Sequence, residues 1–371
     1  MAHFLFQNWN QALRKNLANS LTLKFSGANI YSMSIRAGSL KLILFALIVS
    51  VMITALAFGC CSCSNAPVKT ESITLGLGSS APGFTPIYVA QSEGYFARNG
   101  LNVTISSYAS GQAAVQGLLN NQVDIAGTTE YPIVACAFNS NPVSIIATMD
   151  KDQAFYLTGR KDLGIENISD LKGKIIGLPQ GTIAEFYLGR LLELNGLTMS
   201  DVTIGNTNMT SAASAIESGK VDAVVVSQPY SYDILQQLGT NGIQWSAQNG
   251  QSAFDNLAAN NDWITANPKT VIEFLKALNQ AEEFIAKNPT EAEASQQSLL
   301  NNTDDSFLTQ SWPQQQFSLS LDESMIAAME DEARWMIANN LTTQTQVPNF
   351  LNYIYLNGLK SVDPEAINII Q

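Results

Sequence analysis

Four short loops hold the side chains of this chain that could do chemistry: Gly83-Phe84-Thr85, Ser110-Gly111-Gln112, Gly127-Thr128-Thr129 and Gln180-Gly181-Thr182. Each lies between the expected end of a β-strand and the expected start of a helix. Such a junction turns free backbone N–H groups, and the positive end of a helix dipole, toward one spot. The neighbouring hydroxyls and glycines let a small anion or dipole come close to the backbone. Ser110 and Thr182 serve equally well as helix caps, Gly111 and Gly181 as turn glycines, and Phe84 as core. The only histidine is His3. The rest of the chain therefore has no Ser-His-Asp or Cys-His chemistry and no histidine-ligated metal site. A lysine or carboxylate mechanism stays open, but no spaced motif suggests one. No lysine or arginine falls in the four loops, and Arg160 is the nearest basic candidate. A bound anion would rest on N–H groups and hydroxyls, each helix N-terminus contributing about 0.3–1 kcal/mol when exposed. A zwitterion or a neutral heterocycle fits such loops equally well.

The elements that must position these loops alternate strand and helix. Ser72–Gly78, Val103–Ile105, Val123–Ala126 and Val143–Thr148 read as strands. Between them lie helices beginning at Pro86 and stopping at Gly100, at Ser110, and after Thr129. Phe155–Thr158 reads as a crossing to a second alternation, and Phe254–Ala258 as the return. The second alternation runs from Ile165 to Trp245 and opens on the most legible stretch, Asp162–Asn195. There a strand (Lys174–Leu178) feeds a Gly-Pro loop and then a helix, with Thr182 and Glu185 spaced as a capping box. Strands Val202–Ile204 and Ala223–Val226 and helices Ser211–Ser218 and Tyr230–Leu238 follow. Repeated strand–helix alternation predicts mostly parallel sheets with helices on both faces. Ligands of such sheets bind beyond the carboxyl ends of the strands. After residue 260 the period becomes helical, with a long helix from Pro268, a second capping box at Ser320–Glu323 and a last helix near Phe350. These helices are expected to pack on the first lobe.

The run DLKGKIIGLPQGT, followed by LLELNGL, DVTIGNT and GKVDAVVVSQPY, resembles the solute-binding proteins of ABC importers in the sulfonate/nitrate/taurine group. That superfamily also contains proteins that bind or make pyrimidine precursors of thiamine. The resemblance runs from about Ser72 to about Lys287. It implies an α/β, two-lobed type II periplasmic binding protein fold, joined by two crossings. The domains would be a leader and tether over 1–65, the first part of lobe 1 over 66–158, lobe 2 over 159–250, and a return to lobe 1 with C-terminal helices over 251–371. It further implies a ligand in the cleft between lobes, held by the four loops together with Gln228 and Tyr230 of Gln228-Pro229-Tyr230. The implied partners are a small sulfonate, nitrate, taurine or similar oxyanion, a permease and, through it, an ATPase. The implied state is a monomer with no cofactor, no metal and no catalytic residue. The alternative ligand is a pyrimidine or other thiamine precursor. A biosynthetic enzyme of the superfamily relies on histidine and a cysteine-rich motif that residues 64–371 lack.

Charge is unevenly placed. Residues 1–60 hold five basic residues and no acidic one, leaving 14 basic against 31 acidic residues in the remainder. That acidic remainder excludes nucleic-acid binding, which needs a basic footprint. Leu42–Gly59 is eighteen uncharged, mostly apolar residues after Arg36 and Lys41 and before Cys60. This is the layout of a signal peptide with lipid attachment at Cys60, or of an uncleaved membrane anchor. Either places the folded part outside the membrane and attached to it. Translation starts at Met1 or at Met33. Cys136, within an apolar run, reads as a buried small hydrophobe.

Overall fold

The structure, a computed structural model, describes residues 70–78, 82–299, 307 and 311–370. The leader, Cys60 and Met33 lie outside the described residues. Among the described residues no helix is long and apolar enough to cross a membrane.

Two five-stranded sheets organise the chain as two lobes. The first holds β1 (Glu71–Gly78), β2 (Leu101–Tyr108), β3 (Ile125–Thr128), β4 (Val143–Asp152) and β10 (Ala253–Asn260), in the order β2-β1-β3-β10-β4. The second holds β5 (Phe155–Arg160), β6 (Ile175–Leu178), β7 (Thr203–Asn206), β8 (Ala223–Ser227) and β9 (Gly242–Ser246), in the order β7-β6-β8-β5-β9. Both sheets are mixed. In each, the one reversed strand is the strand that follows a crossing: β10 runs antiparallel to β3 and β4, and β5 to β8 and β9. The inner strands β3 and β8 are buried along their whole length, as the continuous apolar run Ala223-Val224-Val225-Val226 requires, whereas the edge strands β2, β7 and β9 are partly exposed.

The crossings are shorter than the sequence suggests. Phe155–Thr158, expected as a crossing, is strand β5, and only Gln153 and Ala154 separate it from β4. Ala258, expected in the return crossing, lies inside β10, paired with Ala126 and Ile145. The return is 247–252. An apolar run looks the same along a strand and across a gap between lobes; only its backbone partners distinguish them. Gln248 fastens the two crossings together. Its Nε2 donates to the Asp152 carbonyl at 3.0 Å, and its Oε1 accepts from the Phe155 N–H at 2.8 Å.

Helices cover both sheets. Those that matter for the site are α1 (Thr85–Ser92), α3 (Gly111–Leu119), α4 (Glu130–Phe138) and α5 (Ile183–Leu194). The helix expected from Pro86 to Gly100 is two, because Gly94 at φ 70° ends α1 before α2 (Tyr95–Arg98) begins. Thr182 occupies the N-cap of α5 but makes no side-chain cap bond; the expected capping box is not formed. Its hydroxyl donates instead to the Pro179 carbonyl at 2.7 Å, and Glu185 reaches the Gly181 N–H at 3.0 Å. The second expected capping box also fails. Ser320 is tied to Thr148 of β4 through paired backbone bonds, so the C-terminal helix starts later, at Glu323–Ala338. Its N-cap, Asp322, is engaged by Lys151. That helix packs on α4, as expected of lobe 1, but also reaches lobe 2. Trp335 meets Phe186 of α5 edge-on with centroids 5.6 Å apart, and its Nε1 donates to Glu193 at 3.1 Å. Cys136 is buried, as expected.

Candidate functional site

The strand ends of both sheets meet at one cleft. Gly78 and Thr128 end β1 and β3, Asp152 ends β4, Ser227 ends β8, and the reversed strands bring in Phe155 and Ala253 at their starts. These residues line a cavity of about 60 Å³ between the lobes.

Eight of the expected site residues line it: Phe84, Ser110, Gly111, Gln112, Thr128, Thr129, Thr182 and Gln228. Ser110 caps α3, its Oγ accepting from the Ala113 N–H at 3.1 Å. Gly111 lies so close to Thr128 that a Cβ there would sit 2.7 Å from Thr128 Oγ1. A Cβ on Gly78 would fall 2.0 Å from the Gly111 nitrogen, so the β1 end and the α3 start touch backbone to backbone. Ser110 and Thr182, from different lobes, share the cavity. The other five expected residues are not in its lining. Thr85 is buried with its hydroxyl on the Pro82 carbonyl. Gly127 lies under the Phe84 ring, where a Cβ would come within 2.9 Å. Gln180 and Tyr230 stand outside. Gly181, at φ 73°, takes the Gln112 side-chain amide against its backbone, a contact between lobes.

Two lining groups have no partner. Thr128 Oγ1 and Gln228 Oε1 are buried without a hydrogen bond among the described residues. Leaving a buried polar atom unmatched costs about 1–3 kcal/mol, so both atoms favour a ligand that bonds to them.

Sequence reasoning missed the acidic wall. Asp150 and Asp255 are direct cross-strand partners in the β4–β10 ladder, and Asp152 is two residues further along the same face. Oxygens of all three lie within 4.8 Å of one another. Asp152 and Asp255 line the cleft; Asp150 stands behind, its Oδ1 accepting from the Gln316 N–H at 2.6 Å and its Oδ2 unpartnered. Burial pushes the Asp152 carboxyl up to about 7. Burial, then the neighbouring carboxylates, push Asp150 and Asp255 well above the ordinary range. Glu130, at the start of α4, is pushed up to about 8 by burial. Among the described residues no lysine or arginine lines the cleft. Lys151, on the opposite face of β4, pairs with Asp322. Arg160 pairs with Asp162 and donates to the Ile216 carbonyl, away from the cavity. A wall of carboxylates in a cleft with the unmatched Gln228 acceptor and the Thr128 hydroxyl can hold a donor-rich or positively charged group. Three oxygen ligands would also suit a hard divalent cation. The expected strand Val143–Thr148 stops short of the first two carboxylates, and the Asp-Lys-Asp alternation just beyond it, which β4 in fact includes, was the available signal. Asp255 had none, since its place depends on pairing with a strand about a hundred residues earlier.

The sequence profile of the family described as NMT1/THI5 like matches residues 81–292, more than half of the chain. The chain is 26% identical over 247 residues to the 4-amino-5-hydroxymethyl-2-methylpyrimidine phosphate synthase THI13 of Saccharomyces cerevisiae, covering 61% of this chain and 70% of that protein. It is 26% identical over 239 residues to the riboflavin-binding protein RibY of Chloroflexus aurantiacus, covering 62% of this chain and 66% of that one, a little under two thirds of its length. The fold is that of the alkanesulfonate-binding protein SsuA from Xanthomonas axonopodis pv. citri bound to MOPS, with a TM-score of 0.68 over 78% of this chain and 99% of that one, at 18% identity.

Proposed function

The chain belongs to the NMT1/THI5-like family, and from that premise we propose that it is the extracytoplasmic solute-binding component of an ABC importer. It captures one small molecule between its lobes and hands it to a permease coupled to an ATPase. It works as a monomer held at the membrane by lipid on Cys60 or by the apolar Leu42–Gly59 segment left uncleaved. The ligand this reading favours is a pyrimidine or similar nitrogen heterocycle with N–H donors. The observation that carries it is the cleft lining: an unmatched acceptor on Gln228, an unmatched hydroxyl on Thr128, carboxyls on Asp152 and Asp255, aromatic residues Phe84 and Phe155, and no basic side chain among the described residues. Two relatives named for a pyrimidine and for riboflavin point the same way. A second reading, a sulfonate or other oxyanion, is favoured by the α3 N-terminus opening into the cleft at Ser110-Gly111-Gln112.

A thermal-shift panel tests the reading. Aminopyrimidines, flavins, alkanesulfonates, taurine and nitrate are added to the protein, and a tight ligand at a hundred times its Kd stabilises the fold by about 2.7 kcal/mol. One class should raise the melting temperature. A panel in which none does counts against solute binding of either kind.

A further inference from the structure

We propose that the ligand carries a positive charge on nitrogen, and that Asp152 and Asp255 hold this group on the lobe 1 side of the cleft while Thr128 and Gln228 accept from its remaining donors. The inference deepens the solute-binding reading and rests on it.

Register makes the acidic wall a built feature. Asp255 faces Asp150 directly across the β4–β10 ladder, where like charges oppose pairing. Asp152 follows on the same face, and both cleft-lining carboxyls are 6% exposed. Gly83 lets the wall close up, since a Cβ on it would fall 1.8 Å from Asp255 Oδ2. Buried carboxylates need a positive or donor partner, or they take up protons. The nearest lysine, Lys151, is engaged by Asp322 on the opposite face and cannot serve.

The independent observation comes from outside the cluster. Thr128 Oγ1 belongs to a residue 1% exposed, and Gln228 Oε1 to one 9% exposed. Both are unpartnered, both line this same cavity, and they come from different lobes. Gln228 Oε1 only accepts, and the carboxylates when ionised only accept. Gln228 Oε1 and the carboxylate wall thus place acceptors on two sides of the cleft, a pattern that suits a donor-bearing cation seated against the wall. An amidinium-type N–C–N edge matches a carboxylate with two parallel N–H···O bonds. Phe84 and Phe155 add aromatic carbon to the same lining, which suits a flat ligand.

The test uses the full-length protein and three probes of one shape and different charge: benzamidine (cationic), benzamide (neutral) and benzenesulfonate (anionic). Affinities are measured by titration calorimetry, alongside calcium and zinc chlorides as separate arms. The expected order is benzamidine first, benzamide weaker and benzenesulfonate without binding. Asp152→Asn and Asp255→Asn should each weaken benzamidine by on the order of 10- to 100-fold, as loss of a charged hydrogen bond does. If Asp255→Asn fails to fold, Asp152→Asn and the probe series decide alone. Benzenesulfonate binding more tightly than benzamidine, or benzamidine binding unchanged by Asp152→Asn, overturns the inference. So does binding of calcium or zinc with none of benzamidine, which makes the wall a metal site. An anionic ligand emerging from the thermal-shift panel overturns the charge assignment and leaves solute binding standing, whereas a silent panel removes both.

Discussion

Gly189, in the middle of α5, has no Cβ because the Trp335 indole lies there. A Cβ at this position would sit 2.2 Å from Cζ2 and 2.6 Å from Cε2 of the ring. A planar ring packed at 5% exposure against Phe186 has little freedom to yield. In a helix interior, alanine otherwise gains about 0.5–1 kcal/mol over glycine. Forcing an extra methyl into a filled site costs about 1–3 kcal/mol. Gly189→Ala should therefore destabilise by about 1–2 kcal/mol. Trp335→Ala should cost about 3–5 kcal/mol as a large aromatic deletion. In the Trp335→Ala background the clash is gone, so Gly189→Ala should reverse sign and stabilise by about 0.5–1 kcal/mol. The cycle gives a coupling of about 1.5–3 kcal/mol, within the range for residues in contact. Urea unfolding, read as a shift of midpoint at constant slope, measures each corner. If Gly189→Ala is neutral or stabilising with Trp335 present, the C-terminal helix does not bridge the two lobes as described.

Stability of the ligand-free protein should fall as the pH rises from about 5 to 9. Glu130 and Asp152 have folded values near 8 and 7, raised above the unfolded carboxylate range, so their contribution is full below about pH 4 and is lost through those values; a melting temperature that climbs over this range refutes the assignment. Gln248→Leu should lower stability by about 1–3 kcal/mol, because it strands the buried Phe155 N–H and Asp152 carbonyl, and a chemical denaturation midpoint reads the change. Thr182→Ala should cost only about 0.5–1.5 kcal/mol, the loss of one hydroxyl bond to Pro179 rather than of a cap, while ligand affinity measured by calorimetry drops if Thr182 touches the ligand. Cys60→Ser should release the protein into the soluble fraction if lipid is its anchor, and persistent membrane attachment would mark an uncleaved Leu42–Gly59 anchor.

Local patterns carried most of the fold. The strand expected at Ala223–Val226 runs one residue further, to Ser227, and the helix at Tyr230–Leu238 stands where the sequence puts it, because each is bounded by its own turn chemistry. Failures came where a competing bond, local or long-range, overrides a local signal. Thr182 and Glu185 have capping-box spacing, yet the Pro179 carbonyl takes the hydroxyl and the Gly181 N–H takes the carboxylate. Phe155–Thr158 and Phe254–Ala258 carry nothing that tells a strand from a crossing. β9, Gly242–Ser246, has no counterpart among the expected strands: it starts at the Asn241-Gly242 pair, whose local signal is a turn, and is half-buried at a sheet edge. The loops around the cleft were legible as strand-to-helix junctions. The charge of the cleft was not, because Asp255 acquires its meaning only from the β4 residue opposite.

The most direct measurement of the central claim titrates the protein with 4-amino-5-hydroxymethyl-2-methylpyrimidine and then recovers the small molecule by mass spectrometry. Solute binding predicts one molecule per chain, returned chemically unchanged, with Asp152→Asn weakening its uptake. Saturable one-to-one binding followed by recovery of an altered molecule would contradict the account and make the chain an enzyme.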